Sequence, residues 1–383
     1  MRKFLPLLLT VGFSTDLYWE AITSLINPTD VQFSEDSRIY ATTNGGVVQF
    51  NLDTESFTKI GFDAGFWPLD LTSIYVDDDL LWVTDTNGSL QIYNLGSGTI
   101  EKISHLDFID SITDLNLTEN SIFVIGHGNT QDGLLQFSHE NKDVHYQNYL
   151  QNFPLTFSQI HDLYIVDDTI YLGLDSGLIS ANVNSSSLYL SSEWTVINDS
   201  EPIFQITDSY YFTNGSIKLL ADGAIYYEIN SIAIDSKFDS LSSTLNWIDE
   251  ATFYELNEDG IIWEFNNPFD PYHEHVHVPI TSFDRNGNDI VIGIQNHGLT
   301  HISRETGEVS TYIPNSILTN KLSALSVTED GNLIGVGREG GIYQREQQMT
   351  NFYSYTFWAD YPTNWGEGYD AYELQYKAGD NFP

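Results

Sequence analysis

Three histidines spaced two apart, His273, His275 and His277 in HEHVH, are the most metal-like arrangement in this 383-residue chain. On an extended strand, residues two apart share a face, so the imidazoles would point together and could hold zinc or copper if a neighbouring strand added a fourth ligand. The same spacing suits a polar edge strand, which is the plainer expectation. Two acidic runs, Asp77-Asp78-Asp79 and Asp167-Asp168, offer oxygen ligands to calcium. Neither has the alternating Asp-x-Asp-x-Asp-Gly spacing of a calcium loop, and both fall where a turn is expected.

Catalytic constellations are harder to find. Glycoside hydrolysis needs two carboxylates facing across a sugar, and with 54 acidic residues a pair can always be picked, so that signal is unspecific. The sequence has no Gly-x-Ser-x-Gly elbow and no phosphate loop, because its glycine pairs fall inside hairpins and not between a strand and a helix. It has no cysteine, hence no disulfide and no thiolate zinc site. No catalytic residue and no cofactor is therefore assigned, calcium at the acidic runs and a metal at the three histidines being the candidates. Aromatic residues remain: Trp67, Trp194, Trp358, Trp365 and the run Tyr353, Tyr355, Phe357 could stack on sugars or anchor a protein, or else pack between sheets.

Charge narrows the partners. The formal net charge is −40, from 54 acidic and 14 basic residues. Phosphate backbones and anionic membrane faces are bound through Lys and Arg, so nucleic acid and lipid docking are both excluded as main functions. The chain opens MRKFLPLLLTVGFST, two basic residues followed by ten apolar ones from Phe4 to Phe13, the length of a secretory h-region and too short to span a bilayer. Residues 1–15 are read as a signal peptide cut near Ser14 to Asp16, leaving an exported chain with no membrane span.

The elements that would carry any site repeat. Ser34 to Phe50, SEDSRIYATTNGGVVQF, reads as a polar turn, a short strand, a glycine break and an alternating second strand, which is a β-hairpin. The same grammar returns with hairpin glycines at Gly46, Gly88, Gly133, Gly177, Gly223, Gly260, Gly298 and Gly341, spaced 37 to 46 residues apart. A period near 40 residues marks four-stranded propeller blades. Each hairpin follows an apolar run such as Leu71 to Val76 or Ile160 to Val166, and outer fourth strands are expected at Thr99 to Ile103 and Val309 to Ile313. The predicted fold is all-β: a propeller of seven to eight four-stranded, mostly antiparallel blades over 16–348, with 349–383 opening a further segment. Repeat five fits worst, since Lys218 stands where the others have an apolar residue.

Trp19, Ser24, Leu25, Asp30, Ile39, Tyr40, Ala41, Thr43, Gly45 and Gly46 follow an opening that resembles the PorZ-type propeller proteins of the bacterial type IX secretion system. More broadly, NSILTNKLSALSVTEDGNLIGVGREGGIY is similar to two-component-regulator propeller repeats, with Leu318, Asn320, Asp330, Gly331, Asn332, Leu333, Gly340, Gly341 and Ile342 in matching places. Ile334 and Gly337 replace the Trp and Thr of that pattern. The resemblance implies seven blades where eight repeats are counted, so either the ring holds eight or the last repeat belongs to a second propeller. It also implies a β-sandwich-like domain beyond the last residues, so a truncated frame or a fragment is expected. Function follows by analogy: a non-enzymatic interaction protein at the cell envelope, binding a protein or a surface glycan such as lipopolysaccharide. A periplasmic sensor propeller of a two-component regulator is the alternative. A secreted carbohydrate-active hydrolase is a third, although the Ser-x-Asp-x-Gly-x-x-Trp boxes of sialidase-like propellers are not found.

Overall fold

The computed structural model describes residues 22–34, 36, 38–140, 143–207, 210–213, 216–220, 225–228, 245–249, 252–256, 262–267, 278–317, 320–329, 332–337, 342–345, 352–359 and 372–376. Its sheets follow one another along the chain, each an antiparallel meander whose sequence neighbours are also hydrogen-bonded neighbours. Their first strands are Pro28–Phe33, Leu71–Asp77, Ser111–Leu117, Ile160–Val166, Ile203–Ile206, Leu245–Asp249 and Ile280–Asn286, opening blades 1 to 7. Blade 6 shows three strands among the described residues and the other six show four.

Both faces of every blade are apolar, so a single sheet cannot bury itself and must be sandwiched. The core is accordingly a set of inter-blade layers. Tyr40 and Val47 of blade 1 meet Leu81 and Val83 of blade 2, and Trp82 of blade 2 meets Val124 and Phe137 of blade 3. Phe123 of blade 3 lies among Ile170, Leu172 and Ile179 of blade 4. The circle closes where Val31, Phe33 and Phe50 of blade 1 pack on Val291 and Leu299 of blade 7.

Seven blades make the ring. The eighth repeat forms its own sheet, but its first strand, Leu322–Val327, exposes all six residues, whereas the strands in the same place on blades 1 to 4 have only buried and half-buried ones. Of the two options left open by the repeat count, the last repeat thus stands outside the ring.

Repeat five sits one hairpin earlier than its glycine predicts. Its second and third strands are Tyr210–Thr213 and Ser216–Leu219, so Gly223 falls between the third and fourth strands and Lys218 belongs to the third. The break between strands two and three is Asn214-Gly215, a dipeptide suited to a two-residue hairpin turn. Tyr210, buried, then takes the place held by Tyr40, Trp82 and Phe123 elsewhere. Where hairpin glycines are described the reason for them is steric: at Gly177 (φ +154°) a Cβ would sit 2.1 Å from the Asn198 carbonyl oxygen, and at Gly298 (φ +74°) 2.4 Å from that of Tyr312.

Blades 6 and 7 are tied by charge. Glu255, buried on blade 6, receives Arg285 Nη1 and Arg304 Nη2, each at 3.1 Å, and Arg304 lies 4.2 Å over the Trp263 ring. Removing the carboxylate would leave two guanidinium groups partly buried and unmatched.

Phe123 is fully buried at the junction of blades 3 and 4, so Phe123→Ala opens a cavity that rigid sheets cannot collapse. The urea midpoint of the chain is expected to fall by the equivalent of about 4 kcal/mol, with an unchanged denaturant slope.

Candidate functional site

The first strands of successive blades pack on one another around the hub. Among the described residues six of the seven carry a β-bulge near their start, and blade 6 shows none. The bulge puts an extra residue on the inner strand and turns polar side chains towards the next blade. Asp30 Oδ2 accepts Ile74 N at 3.0 Å, Ser73 Oγ accepts Asp114 N at 3.0 Å, and Asp162 Oδ2 accepts Ile206 N. Asp284 Oδ2 accepts Phe33 N at 2.7 Å, which joins blade 7 to blade 1. Threonines add a second set: Thr29 Oγ1 donates to Leu71 O at 2.9 Å and Thr72 Oγ1 donates to Ile112 O.

This concentrates four aspartates on the inner strands. Burial pushes Asp30 up to about 6, against the pull of the Ile74 and Val31 amides, with Asp284 adding repulsion. Burial likewise pushes Asp162 up to about 7, opposed by the Ile206 and Leu163 amides. Asp114 is raised well above the usual carboxylate range by burial and by the charges of Asp162 and Asp30. Asp284 is raised by burial despite the Phe33 and Arg285 amides. All four keep a little accessible surface.

Two further places set a hydroxyl, an imidazole and a carboxylate in series. Thr113 Oγ1 lies 2.7 Å from His127 Nε2, and His127 Nδ1 lies 3.1 Å from Asp132 Oδ1, the order found in acyl-transfer triads. The neighbouring amide is spent, however, since Asp114 N donates to Ser73 Oγ, and Asp132 Oδ2 accepts Ile160 N of blade 4 at 3.0 Å. The series therefore serves as another tie between blades. In the second, Ser89 Oγ meets His105 Nδ1 at 3.1 Å and His105 Nε2 meets Asp107 at 3.0 Å, the reverse order, with the carboxylate 97% exposed and so unable to hold the ring against water.

The expected sites fare differently. His273, His275, His277, Gly223, Gly260, Gly341 and Trp365 lie outside the described residues. Asp78, Asp79, Asp167 and Asp168 are exposed in turns between first and second strands, and among the described residues no three His, Asp or Glu side chains group as metal ligands. Trp194 is buried, its ring 4.7 Å from Phe153 and its Nε1 donating to Leu188 O at 2.8 Å, so it is a core residue and not a surface anchor. Trp67 stands 68% exposed. A cleft of about 280 Å³ lined by Arg38, Lys59, Asp63 and Tyr93 does not include it.

The hub carboxylates were missed in the sequence. Their signal is an acidic or hydroxyl residue a few places into the inner strands of blades 1 to 4, Asp30, Ser73, Asp114 and Asp162, about one repeat apart.

These features define a seven-bladed β-propeller. No protein-family model matches the sequence, and no curated protein matches it. Among solved structures the fold is shared with PorZ, a bacterial surface component of the type IX secretion system of Porphyromonas gingivalis, at a TM-score of 0.62 and 11% identity over 88% of this chain. It is shared also with the extracellular domain of a putative hybrid two-component system from B. thetaiotaomicron, at a TM-score of 0.51 and 16% identity over 86% of this chain. The chain spans about half the length of each, 46% and 45%. Among the described residues no helix is long and apolar enough to cross a membrane.

A carboxyl whose folded value is raised prefers its protonated form in the ring, so its contribution to stability is present at low pH and lost as pH rises through the folded value. The melting temperature is therefore expected to climb as pH is lowered from about 8 to about 5. General relief of the acidic surface acts in the same direction, so the discriminating measurement is the slope. Asp162→Asn should flatten it from about pH 4 up to about 7 and Asp30→Asn from about pH 4 up to about 6, the intervals over which the folded ring holds a proton that the unfolded chain has lost. Unaltered slopes in both variants would remove the hub as its source.

Proposed function

We propose that this chain is an exported, non-catalytic binding platform of the bacterial cell envelope, whose propeller presents loops to a protein or to a surface glycan such as lipopolysaccharide. One observation carries the reading. Trp67 is held out in water by a mount of buried polar groups, an arrangement that adds nothing to the ring's own packing and suits an anchor for something else. The fold held in common with PorZ supports placing it at the bacterial surface, and a role beside type IX secretion cargo follows by analogy. The fold held in common with a two-component extracellular domain supports the second reading, a sensor propeller.

Cell fractionation and protease shaving of intact cells test the location, and cross-linking on those cells followed by mass spectrometry tests the role. The chain should be found outside the inner membrane and joined to envelope proteins or lipopolysaccharide. A cytoplasmic location, or turnover of polysaccharide by the purified chain with a rate that survives metal removal, would overturn the platform. A reading frame continuing into a membrane span and a kinase would favour the sensor.

A further inference from the structure

The connections between blades 1 and 2, residues 61–70, and between blades 2 and 3, residues 106–110, emerge at one end of the meander, on either side of blade 2. Both put aromatic side chains in water: Phe62 is 47% exposed, Trp67 68% and Phe108 51%. The rings are not loose. Phe62 and Trp67 meet edge to face at 6.2 Å, and Phe108 rests on Tyr146 and Tyr149 at 5.8 and 5.7 Å.

Trp67 sits on a built mount. Its amide donates to Gln91 Oε1 at 3.1 Å, and Gln91 Nε2 donates to Pro68 O at 3.2 Å and to Asp85 Oδ2 at 2.9 Å. Gln91 and Asp85 are fully buried, and Asp85 Oδ1 accepts the Asn87 and Ser89 amides at 2.8 and 3.0 Å. Phe66, also fully buried, plugs the loop against Tyr93 at 5.5 Å. An aromatic side chain fixed in advance loses little freedom on binding, which is the usual condition of an interface anchor.

The chemistry around the rings selects the partner. The two loops also expose Asp63, Asp70, Asp107 and Asp110, and neither contains a lysine or arginine. Two cations, Lys59, half-buried near the end of the preceding strand, and Arg38, line a cleft with Asp63, and neither Trp67 nor Phe108 is part of that lining. We infer that this aromatic and acidic rim is a docking surface for a protein segment that presents lysine or arginine beside apolar side chains. Carboxylates would draw the segment in and pair at the edge, while Trp67 and Phe108 supply the contact that holds it. The inference rests on the platform reading above and names the partner chemistry of one of its faces.

The full chain can be panned against a random-peptide display library, and a synthetic peptide of the selected consensus titrated by calorimetry. The consensus should combine Lys or Arg with aromatic or aliphatic residues. Trp67→Ala and Phe108→Ala should each weaken binding at least about tenfold without lowering the melting temperature, and Trp67→Phe should restore most of it. The set Asp63→Asn, Asp70→Asn, Asp107→Asn and Asp110→Asn should slow association and reduce its salt dependence. The matched set Asp78→Asn, Asp79→Asn, Asp167→Asn and Asp168→Asn, at the opposite end of the blades, should not. Acidic or uncharged consensus peptides, no selection at all, or equal losses from both sets would overturn the inference. So would lipopolysaccharide micelles binding through Trp67 where basic peptides do not, and that result would leave the platform reading standing.

Discussion

Closure of the ring depends on hydrogen bonds that cross from one bulged inner strand to the next. The joint between blades 7 and 1 is the decisive one, because there the chain has no covalent continuity: Asp284 accepts the Phe33 amide across 251 residues of sequence, beside the contact of Phe50 with Leu299 and Val291. Apolar layers supply most of the adhesion between blades, but layers alone are non-directional. The carboxylate and hydroxyl ties fix the angle between neighbours, and a fixed angle decides how many sheets fit the circle.

Directional ties at a crowded hub have an electrostatic cost. The carboxylates of Asp30, Asp162 and Asp284 serve as acceptors with that of Asp114 beside them, yet burial and repulsion favour the neutral forms, and the amides that the three accept offset this only in part. Blade 6 shows no inner bulge among its described residues and is tied differently, by Glu255 between Arg285 and Arg304. A chain with few cations thus places two of them where a carboxylate would otherwise lie buried and unmatched.

Much of the fold was legible in the sequence. The 40-residue period, the hairpin glycines and the apolar run ahead of each hairpin located nearly every inner strand, because all three reflect local backbone requirements that a linear sequence must state. The blade number was not legible: it is set by inter-blade angles, which reside in ties such as Asp30 to Ile74 that only the closed ring brings together. Repeat five departs from the expected frame because its sequence offers two turn glycines, at Asn214-Gly215 and at Gly223, and the apolar template alone does not choose between them. Of the aromatics, the sequence could not separate Trp67 from Trp194. The one follows Phe66 and the other Glu193, the opposite of what their exposure would suggest, because a long connection folds Trp194 under Phe153 while Gln91 and Asp85 hold the Trp67 loop in place.

One consequence follows from the way the chain enters and leaves the circle. Leu25 N donates to Ser316 Oγ at 2.9 Å, Ser24 N to Asn320 Oδ1 at 2.6 Å, and Asn320 Nδ2 in turn to Asn44 O at 2.6 Å. Entrance and exit are thereby knotted together at one spot, as on a bead whose thread comes and goes through the same hole. Such a unit can be strung into a longer polypeptide without prising its blades apart, and tension along that polypeptide would load the small entrance clasp before it reached the wheel.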